Sequence, residues 1–182
     1  MYSENQVKES TLKYFNGDTL AADVWISKYA LRDKENNFLE ENPDMMFHRL
    51  TSELYRIEQK YPNPLSYEEI YNLLKGFNKF VFGGSPMYGV GNPYSITSLS
   101  NCYVVGNEYD SIAGINQIIQ HTSEITKRRG GTGYDISHLR PKNAHVNNSS
   151  NSSSGGVSFI KPIITNIQTL AQHGRRKNCF LF

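Results

Sequence analysis

Two segments of the chain combine cations with glycine and could bind a phosphate group. Residues 127–133 read Lys-Arg-Arg-Gly-Gly-Thr-Gly, and residues 172–176 read Gln-His-Gly-Arg-Arg. Successive amides of a glycine run can form an anion-binding concavity, and arginine forks suit phosphate groups. The first segment lacks the endings of a nucleotide-hydrolase phosphate loop and of a dinucleotide fingerprint. Two interpretations stay open: phosphate binding, or a structural turn in the first segment and a solvated helix terminus in the second.

The two cysteines are too few for a disulfide framework, so either one matters only as a thiol. By residue type and apolar surroundings, Cys102 is typical of an inert buried side chain, and Cys179 of an incidental exposed thiol. The three histidines His121, His138 and His145 do not share the spacing of metal ligands. The sequence therefore predicts no metal site.

The first half of the chain is predicted to be helical. Asp18 is a plausible cap for a helix with Leu20, Val24 and Leu31 on its apolar face. After Pro43, apolar residues recur at helical spacing on one face: Met46, Leu50, Leu54, Ile57 and Tyr61. Ser66 and Glu69 form the pattern of a capping box that opens a further helix.

The second half alternates between strand and helix patterns. Residues 83–100 are rich in Gly, Pro, Ser, Tyr and Asn, which favours turns, and residues 99–105 predict a strand. A helix follows over 110–126, with Asp110 as its plausible cap, and another over 157–171. The polar tract between them, from Asn147 to Gly156, is typical of a mobile loop. This alternation favours an α/β arrangement.

Charge and apolar patterning exclude several classes of partner. The 182 residues have a formal net charge of +2, which gives no field that argues for nucleic acid or a membrane surface. No run of about 18 apolar residues occurs, so no membrane helix is predicted. The polar N-terminus lacks the apolar core of a signal peptide, which favours a cytoplasmic protein.

Several of these segments occur together in an order that resembles the large, catalytic (alpha) subunit of ribonucleotide reductase. The motifs are SLSNCYVV, DSIAGI, the stretch from KRRGGTGYDISHLRP to SSSGGVSF, and AQHGRR. The residues FNGDTLAADVWISKYALRD and GSPMYGVGN resemble the helical domain that precedes the barrel in that family. The similarity runs from about Leu12 to Arg176 and is shared with adenosylcobalamin-dependent and some di-metal-dependent ribonucleoside-diphosphate reductases.

The resemblance implies a role for residues that composition alone leaves ambiguous. Cys102 matches a cysteine on the barrel floor that delivers reducing equivalents and becomes a disulfide with a partner far downstream. Ser85, Asn101, Cys102 and Gly131 match substrate-binding positions, where small residues leave amides exposed to the nucleotide phosphates.

The resemblance also implies an allosteric site. Asp110 and Arg140 match residues that bind the effector nucleotide at the specificity site. Residues 143–155 correspond to the first specificity loop, and Gln172 to Arg176 begin the second.

The fold implied by the resemblance is α/β, with a helical domain followed by the first units of a ten-stranded barrel. Its expected domains are residues 1–82, helical; 83–176, the start of the catalytic barrel; and 177–182, a tail outside the similarity. The expected activity is the reduction of ribonucleotides to 2'-deoxyribonucleotides by thiyl radical chemistry, for DNA synthesis.

The resemblance further implies partners, with no cofactor bound directly by this portion. The complete enzyme would take its radical from adenosylcobalamin or a metal-radical small subunit. Expected partners are a ribonucleotide substrate, deoxynucleotide or ATP effectors and a thiol reductant such as thioredoxin. A chain with the rest of the barrel and a second copy, in a homodimer, are the expected protein partners.

These residues alone lack the radical cysteine of the family, so we expect them to be inactive and prone to unfold or aggregate without that complementary chain. Split-gene product, interrupted coding sequence and truncated remnant all remain open. A catalytically inactive nucleotide-binding module is the alternative function, and the role of Cys179 is open.

Overall fold

A computed structural model describes residues 1–106 and 109–170 of the chain. They belong to two compact units, Met1–Leu99 and a second that begins at Ser100. Residues 83–99 lie in the first unit, whereas the composition change places a domain boundary at 82/83. The predictions for Gln172, Arg176, Cys179 and the tail at 177–182 lie outside the described residues.

The first unit is helical, and local capping explains where most of its helices begin. Asp18 and Asn42 cap α2 and α3 with their side-chain oxygens, and Ser66 forms the predicted capping box with Glu69 at α4. A short 3-10 helix, Lys75–Phe77, follows α4. The helices are α1 Glu4–Tyr14, α2 Thr19–Lys28, α3 Pro43–Glu58, α4 Tyr67–Leu74 and α5 Gly84–Gly89.

The predicted face of α2 is wrong, although its cap is confirmed. Leu20 is 73 % exposed, and the helix buries Ala22 and Trp25 instead. Since Asp18 fixes where the helix starts, burial of the large indole of Trp25 sets which face turns inward. Leu31 lies beyond the end of α2 at Lys28. α1 was not predicted, because only Val7 and Thr11 of it are buried.

The core of the first unit forms between α2, α3 and the helices packed on them. The indole N–H of Trp25 donates to the Met46 sulfur at 3.3 Å. Phe47 and Phe77 pack edge to face, with ring centroids 4.8 Å apart. The buried apolar residues are Val7, Trp25, Ala30, Phe38, Met46, Phe47, Leu50, Ile70, Leu74 and Met87.

The second unit has two parallel strands and two helices among its described residues. These are β1 Cys102–Val105, α6 Ile112–Thr126, β2 Gly131–Tyr134 and α7 Gly156–Leu170, in chain order. β1 pairs with β2 in parallel, and α6 connects them. The small core consists of Val105, Ile118, Ile163 and Ile167. The α/β class is thus confirmed, while the described part forms a two-stranded parallel sheet and no closed barrel.

Candidate functional site

Three of the residues predicted to bind substrate meet where β1 and β2 begin. Cys102 and Gly131 are directly paired in the parallel register. The amide of Gly131 donates to the carbonyl of Asn101 at 2.7 Å. The two strand starts are 29 positions apart in the sequence, and only the crossover through α6 brings them together.

The Cys102 side chain is exposed, so the interpretation of an inert buried residue is wrong. Strand residues alternate between the two faces of a sheet. Cys102 and Val104 share the exposed face, while Val105, on the other face, belongs to the core. The strand thus presents the Cys102 thiol beside Gly131.

The turn that leads into β2 depends on glycine. A Cβ atom on Gly130 would lie 2.4 Å from Cγ2 of Ile125 and 3.0 Å from the Tyr103 ring. The Gly130 amide donates to the carbonyl of Ile125 at 3.0 Å, which closes the C-terminal end of α6. Gly130 therefore has the structural role that is one of the two interpretations of this segment.

Two of the three cations before that turn bind the carboxylate of Glu124, in the last turn of α6. Lys127 and Arg128 lie 2.7 and 2.8 Å from Oε2 of Glu124. The hydrogen bond from Lys127, followed by the one from Arg128, lowers the pKa of the Glu124 carboxyl. A phosphate group at this turn would compete with Glu124 for both cations.

The two residues predicted to bind an effector form an ion pair. Nε of Arg140 lies 2.5 Å from Oδ2 of Asp110, and the Arg140 amide donates to Oδ1 of Asp110 at 3.3 Å. The side-chain hydrogen bond from Arg140 is the largest cause that lowers the pKa of the Asp110 carboxyl. Asp110 does not cap α6 as predicted, because Ser111 accepts from the Gly114 amide and is the cap.

The ion pair lies in a cleft of about 420 Å³ beside the N-terminus of α6. The cleft walls combine polar and apolar groups, which suits a ligand with both a charged and an aromatic part. The lining residues include Asp110, Arg140, Ser111, Ile115, Asn147, Ser152 and Phe159. Phe159 was not singled out from the sequence; its place in the first turn of the helix after the polar tract is the only signal that could have indicated it.

The predicted specificity loop forms a hydrogen-bonded hairpin over this cleft. The Asn143 amide donates to the Ser153 carbonyl at 2.8 Å, and the Ser153 amide donates to the Ala144 carbonyl at 2.9 Å. His145 and Ser152 form an antiparallel bridge. Arg140 also donates to the His145 carbonyl at 2.8 Å, so one guanidinium contacts both Asp110 and the loop.

The remaining predicted substrate residue, Ser85, belongs to the first unit. It is the second residue of α5 and is 2 % exposed. Arg49 of α3 donates to the carbonyls of Met87 and Val90 at the other end of this helix. Sequence reasoning missed Arg49 because its contacts bridge 38 and 41 residues.

Neither a cluster of metal ligands nor a membrane-spanning helix occurs in the part of the chain that the structure describes. Within 1–106 and 109–170, no three His, Cys, Asp or Glu side chains are grouped so that they could hold a metal ion. No helix in those ranges combines the length and apolar character needed to cross a bilayer.

Comparison with known proteins places the second unit in a defined class. The family profile described as "Ribonucleotide reductase, barrel domain" matches residues 100–181. This match begins where the second unit begins, and it includes Asn101, Cys102, Asp110, Gly131 and Arg140.

Curated relatives agree with this class. The "Vitamin B12-dependent ribonucleoside-diphosphate reductase" of Thermoplasma acidophilum is 40% identical over 81 residues, 43% of this chain and 10% of the relative. The "Ribonucleoside-diphosphate reductase subunit alpha" of Helicobacter pylori is 29% identical over 178 residues, 97% of this chain and 21% of the relative. The large chain of Encephalitozoon cuniculi is 25% identical over 139 residues, 75% of this chain and 17% of the relative.

The parallel strands joined by a helix and these matches make the chain similar to ribonucleotide reductase large subunits. The chain is related to these large subunits, and its second unit corresponds to part of their barrel domain. It spans between 10% and 21% of the length of the three relatives described above.

Proposed function

We propose that this chain is part of a ribonucleotide reductase catalytic subunit, in which Cys102 is one of two reducing thiols. The observation that supports this most is the placement of the exposed Cys102 thiol directly across from Gly131. The amide of the same glycine donates a hydrogen bond to the Asn101 carbonyl. In the reaction, Cys102 and a second cysteine become a disulfide. The two electrons and two protons that they release replace the 2'-hydroxyl by hydrogen and form one water molecule.

The Asp110–Arg140 cleft is the proposed site for a nucleoside triphosphate effector. Arg140 can bind a phosphate oxygen, while the ionised Asp110 can accept a hydrogen bond from a sugar hydroxyl. Ile115 and Phe159 supply apolar surface for the base or the sugar. Since Arg140 also contacts His145, a phosphate that draws Arg140 away from its present partners would act on the loop as well.

Effector binding to the purified chain tests this site with two probes, dATP and inorganic tripolyphosphate. Asp110→Ala should weaken dATP binding about tenfold or more, because a hydrogen bond to a charged group is lost. It should not weaken the binding of tripolyphosphate, because the substitution removes the negative carboxylate beside Arg140, which repels this anion. Asp135→Ala, at another exposed aspartate of the same unit, is the matched control.

Equal loss of both probes in Asp110→Ala, or no dATP binding by the wild-type chain at millimolar concentration, would contradict the proposed effector site. Catalysis is tested separately, by deoxyribonucleotide formation in the presence of a polypeptide with the rest of a large-subunit barrel. Activity that requires Cys102 and the second polypeptide would support the reductase proposal. Effector binding without activity in that mixture would favour a catalytically inactive nucleotide-binding module.

Two of the relatives, from Thermoplasma acidophilum and Mycobacterium tuberculosis, are described as vitamin B12-dependent. We therefore favour adenosylcobalamin as the radical source of the complete enzyme, over a metal-containing small subunit. No described residue of this chain is assigned to that cofactor. The thiol reductant that restores Cys102 and its partner would be a small dithiol protein such as thioredoxin.

A further inference from the structure

A buried ion pair in the first unit is not explained by the contacts of the core. Nε of Arg49, in α3, lies 2.7 Å from Oε1 of Glu40, and the two side chains are 9% and 4% exposed. Burial of two charges costs desolvation free energy, and an apolar pair of similar volume often gives equal or greater stability. The presence of the pair therefore calls for a role other than stability.

Both members of the pair use their remaining polar atoms on backbone groups of other segments. Oε2 of Glu40 accepts from the Leu31 amide at 2.9 Å. Arg49 donates through Nη2 to the Met87 carbonyl at 3.3 Å, and through Nη1 to the Val90 carbonyl. The planar fork of a guanidinium can serve the carboxylate and both carbonyls at once, which the ammonium of lysine cannot.

The two carbonyls belong to the end of α5, where helix geometry leaves backbone acceptors without intrahelical partners. The chain then turns back onto Arg49 at Gly91, whose φ is +69°. A Cβ atom at Gly91 would lie 2.9 Å from Cγ of Arg49 and 3.3 Å from its carbonyl oxygen. Residues 84–91 are thus held against one side chain of α3.

We propose that Arg49, oriented by Glu40, is a positioning residue for the segment 84–91 and hence for Ser85. This inference rests on the proposed function and on the substrate role that the resemblance implies for Ser85, because that role makes the position of the segment matter. α5 has only six residues, and Ser85 and Met87 are its only buried ones, so packing alone holds its orientation weakly. The buried pair supplies that orientation from the longer helix α3.

The test compares Arg49→Lys with Arg56→Lys, which alters a solvent-exposed pair with Glu53 on the same helix. Amide exchange in the full chain reports on the segment through Met87, Val90 and Asn92, whose amides are hydrogen-bonded within residues 83–92. Arg49→Lys should accelerate exchange at these amides about tenfold or more. Arg56→Lys should leave them unchanged.

A second variant separates positioning from stability. Glu40→Leu combined with Arg49→Met should bring the unfolding midpoint back to or above that of the wild type, because no buried charge remains. It should still show fast exchange at Val90 and about tenfold weaker binding of cytidine diphosphate, the substrate probe. If amide exchange at Val90 in this double variant, or in Arg49→Lys, is as slow as in the wild type, the proposal is overturned.

The binding data also distinguish this proposal from the proposed function on which it rests. If wild-type chain binds cytidine diphosphate and Arg49→Lys weakens binding with an unchanged midpoint, positioning is supported. Binding that is unchanged while exchange accelerates overturns the link from Arg49 to substrate. If the wild-type chain binds no cytidine diphosphate, the substrate role of Ser85 is overturned. The amide exchange rates then test only whether Arg49 anchors residues 84–91.

Discussion

The Asp110–Arg140 pair is partly open to solvent, with side-chain exposures of 33% and 38%. Ion pairs this exposed contribute little to folding stability, because water and salt screen them. Replacement of either residue should therefore leave the second unit folded. Effects of such variants on nucleotide binding can then be attributed to the cleft itself.

Arg140→Gln should raise the pKa of the Asp110 carboxyl toward its usual value of 3.8, because the hydrogen bond from Arg140 is the largest cause that lowers it. A lowered pKa means that the pair is present above the usual value and is lost as the pH falls through the folded value. The contact of Arg140 with Asp110 should thus persist at pH 5 and disappear only below about pH 4.

Carboxyl carbon chemical shifts followed by NMR between pH 2 and 7 measure this pKa. Asp135 is the internal control, since a hydrogen bond from Ser137 is the largest cause that lowers its pKa. The Asp135 titration should be the same in wild type and Arg140→Gln. An unchanged Asp110 titration in that variant would show that the ion pair does not form in solution.

Cys102 should react with iodoacetamide in the folded chain, because its side chain is exposed. Cys179→Ser leaves Cys102 as the only cysteine of the two in the sequence, so mass spectrometry can follow one thiol. Cytidine diphosphate at a saturating concentration should slow alkylation about tenfold, if the nucleotide occupies the space beside Gly131. Alkylation at the same rate with and without nucleotide would count against a substrate site at this thiol.

At the residue scale, two predictions from spacing and residue type are wrong. Asp110 is not the cap of α6, and Cys102 is not buried. Ser111, next to Asp110, is an equally good cap, and spacing cannot choose between neighbours. The resemblance to ribonucleotide reductases grouped Asp110 with Arg140, and the structure places them in contact. Arg49 and Glu40 could not be paired from sequence, because the other contacts of Arg49 depend on how α5 packs and that of Glu40 on the position of the Leu31 amide.

At the scale of elements, Gly155 is the point at which the loop over the cleft joins α7. Its φ is +84°, and a Cβ atom there would lie 2.9 Å from the backbone nitrogen of Lys142 and 3.1 Å from its Cα. Neither atom belongs to a flexible side chain that could move aside. Gly155→Ala should therefore open the base of the hairpin, at a cost of about 1–2 kcal/mol for the left-handed conformation plus the steric clash.

Amide exchange at Asn143 and Ser153, which donate the hydrogen bonds at the hairpin base, measures the opening. Gly106→Ala is the matched control, because nothing lies within 4 Å of a Cβ atom at that position. The Gly155→Ala chain should also bind dATP more weakly than the control. Equal exchange in the two variants would mean that the hairpin tolerates the substitution.

Element prediction succeeded where the signal is local. The Ser66 capping box is confirmed, and so are Met46 and Leu50 of the predicted α3 face, which are buried. Tyr61 was wrongly placed on that face, because α3 ends at Glu58 before the breaker at Pro62 and Tyr61 is 60 % exposed. The face of α2 was wrong because Trp25, an aromatic residue outside the chosen spacing, dominates its burial. The pairing of Cys102 with Gly131 could not be derived from sequence spacing, because parallel register is set by the crossover helix and its packing.

At the scale of the whole molecule, the two units differ in the size of their cores. Ten buried residues form the core of the first unit, and four form that of the second among the residues described. Parallel sheets are normally covered on both faces. In this chain Val104 of β1 is 87 % exposed, and Cys102 on the same face is also exposed.

This exposed face should make the isolated chain self-associate as its concentration rises, because apolar strand surface promotes edge and face contacts between copies. Val104→Lys should reduce association, since a charge on a strand face opposes such contacts. Val157→Lys is the control, at a residue of α7 that is 74 % exposed but lies on no strand. Light scattering coupled to gel filtration measures the mass of each chain over a range of concentrations. A wild-type chain that stays monomeric at all concentrations would contradict the expected self-association. An equal decrease in association in both lysine variants would show that the face of β1 is not its cause.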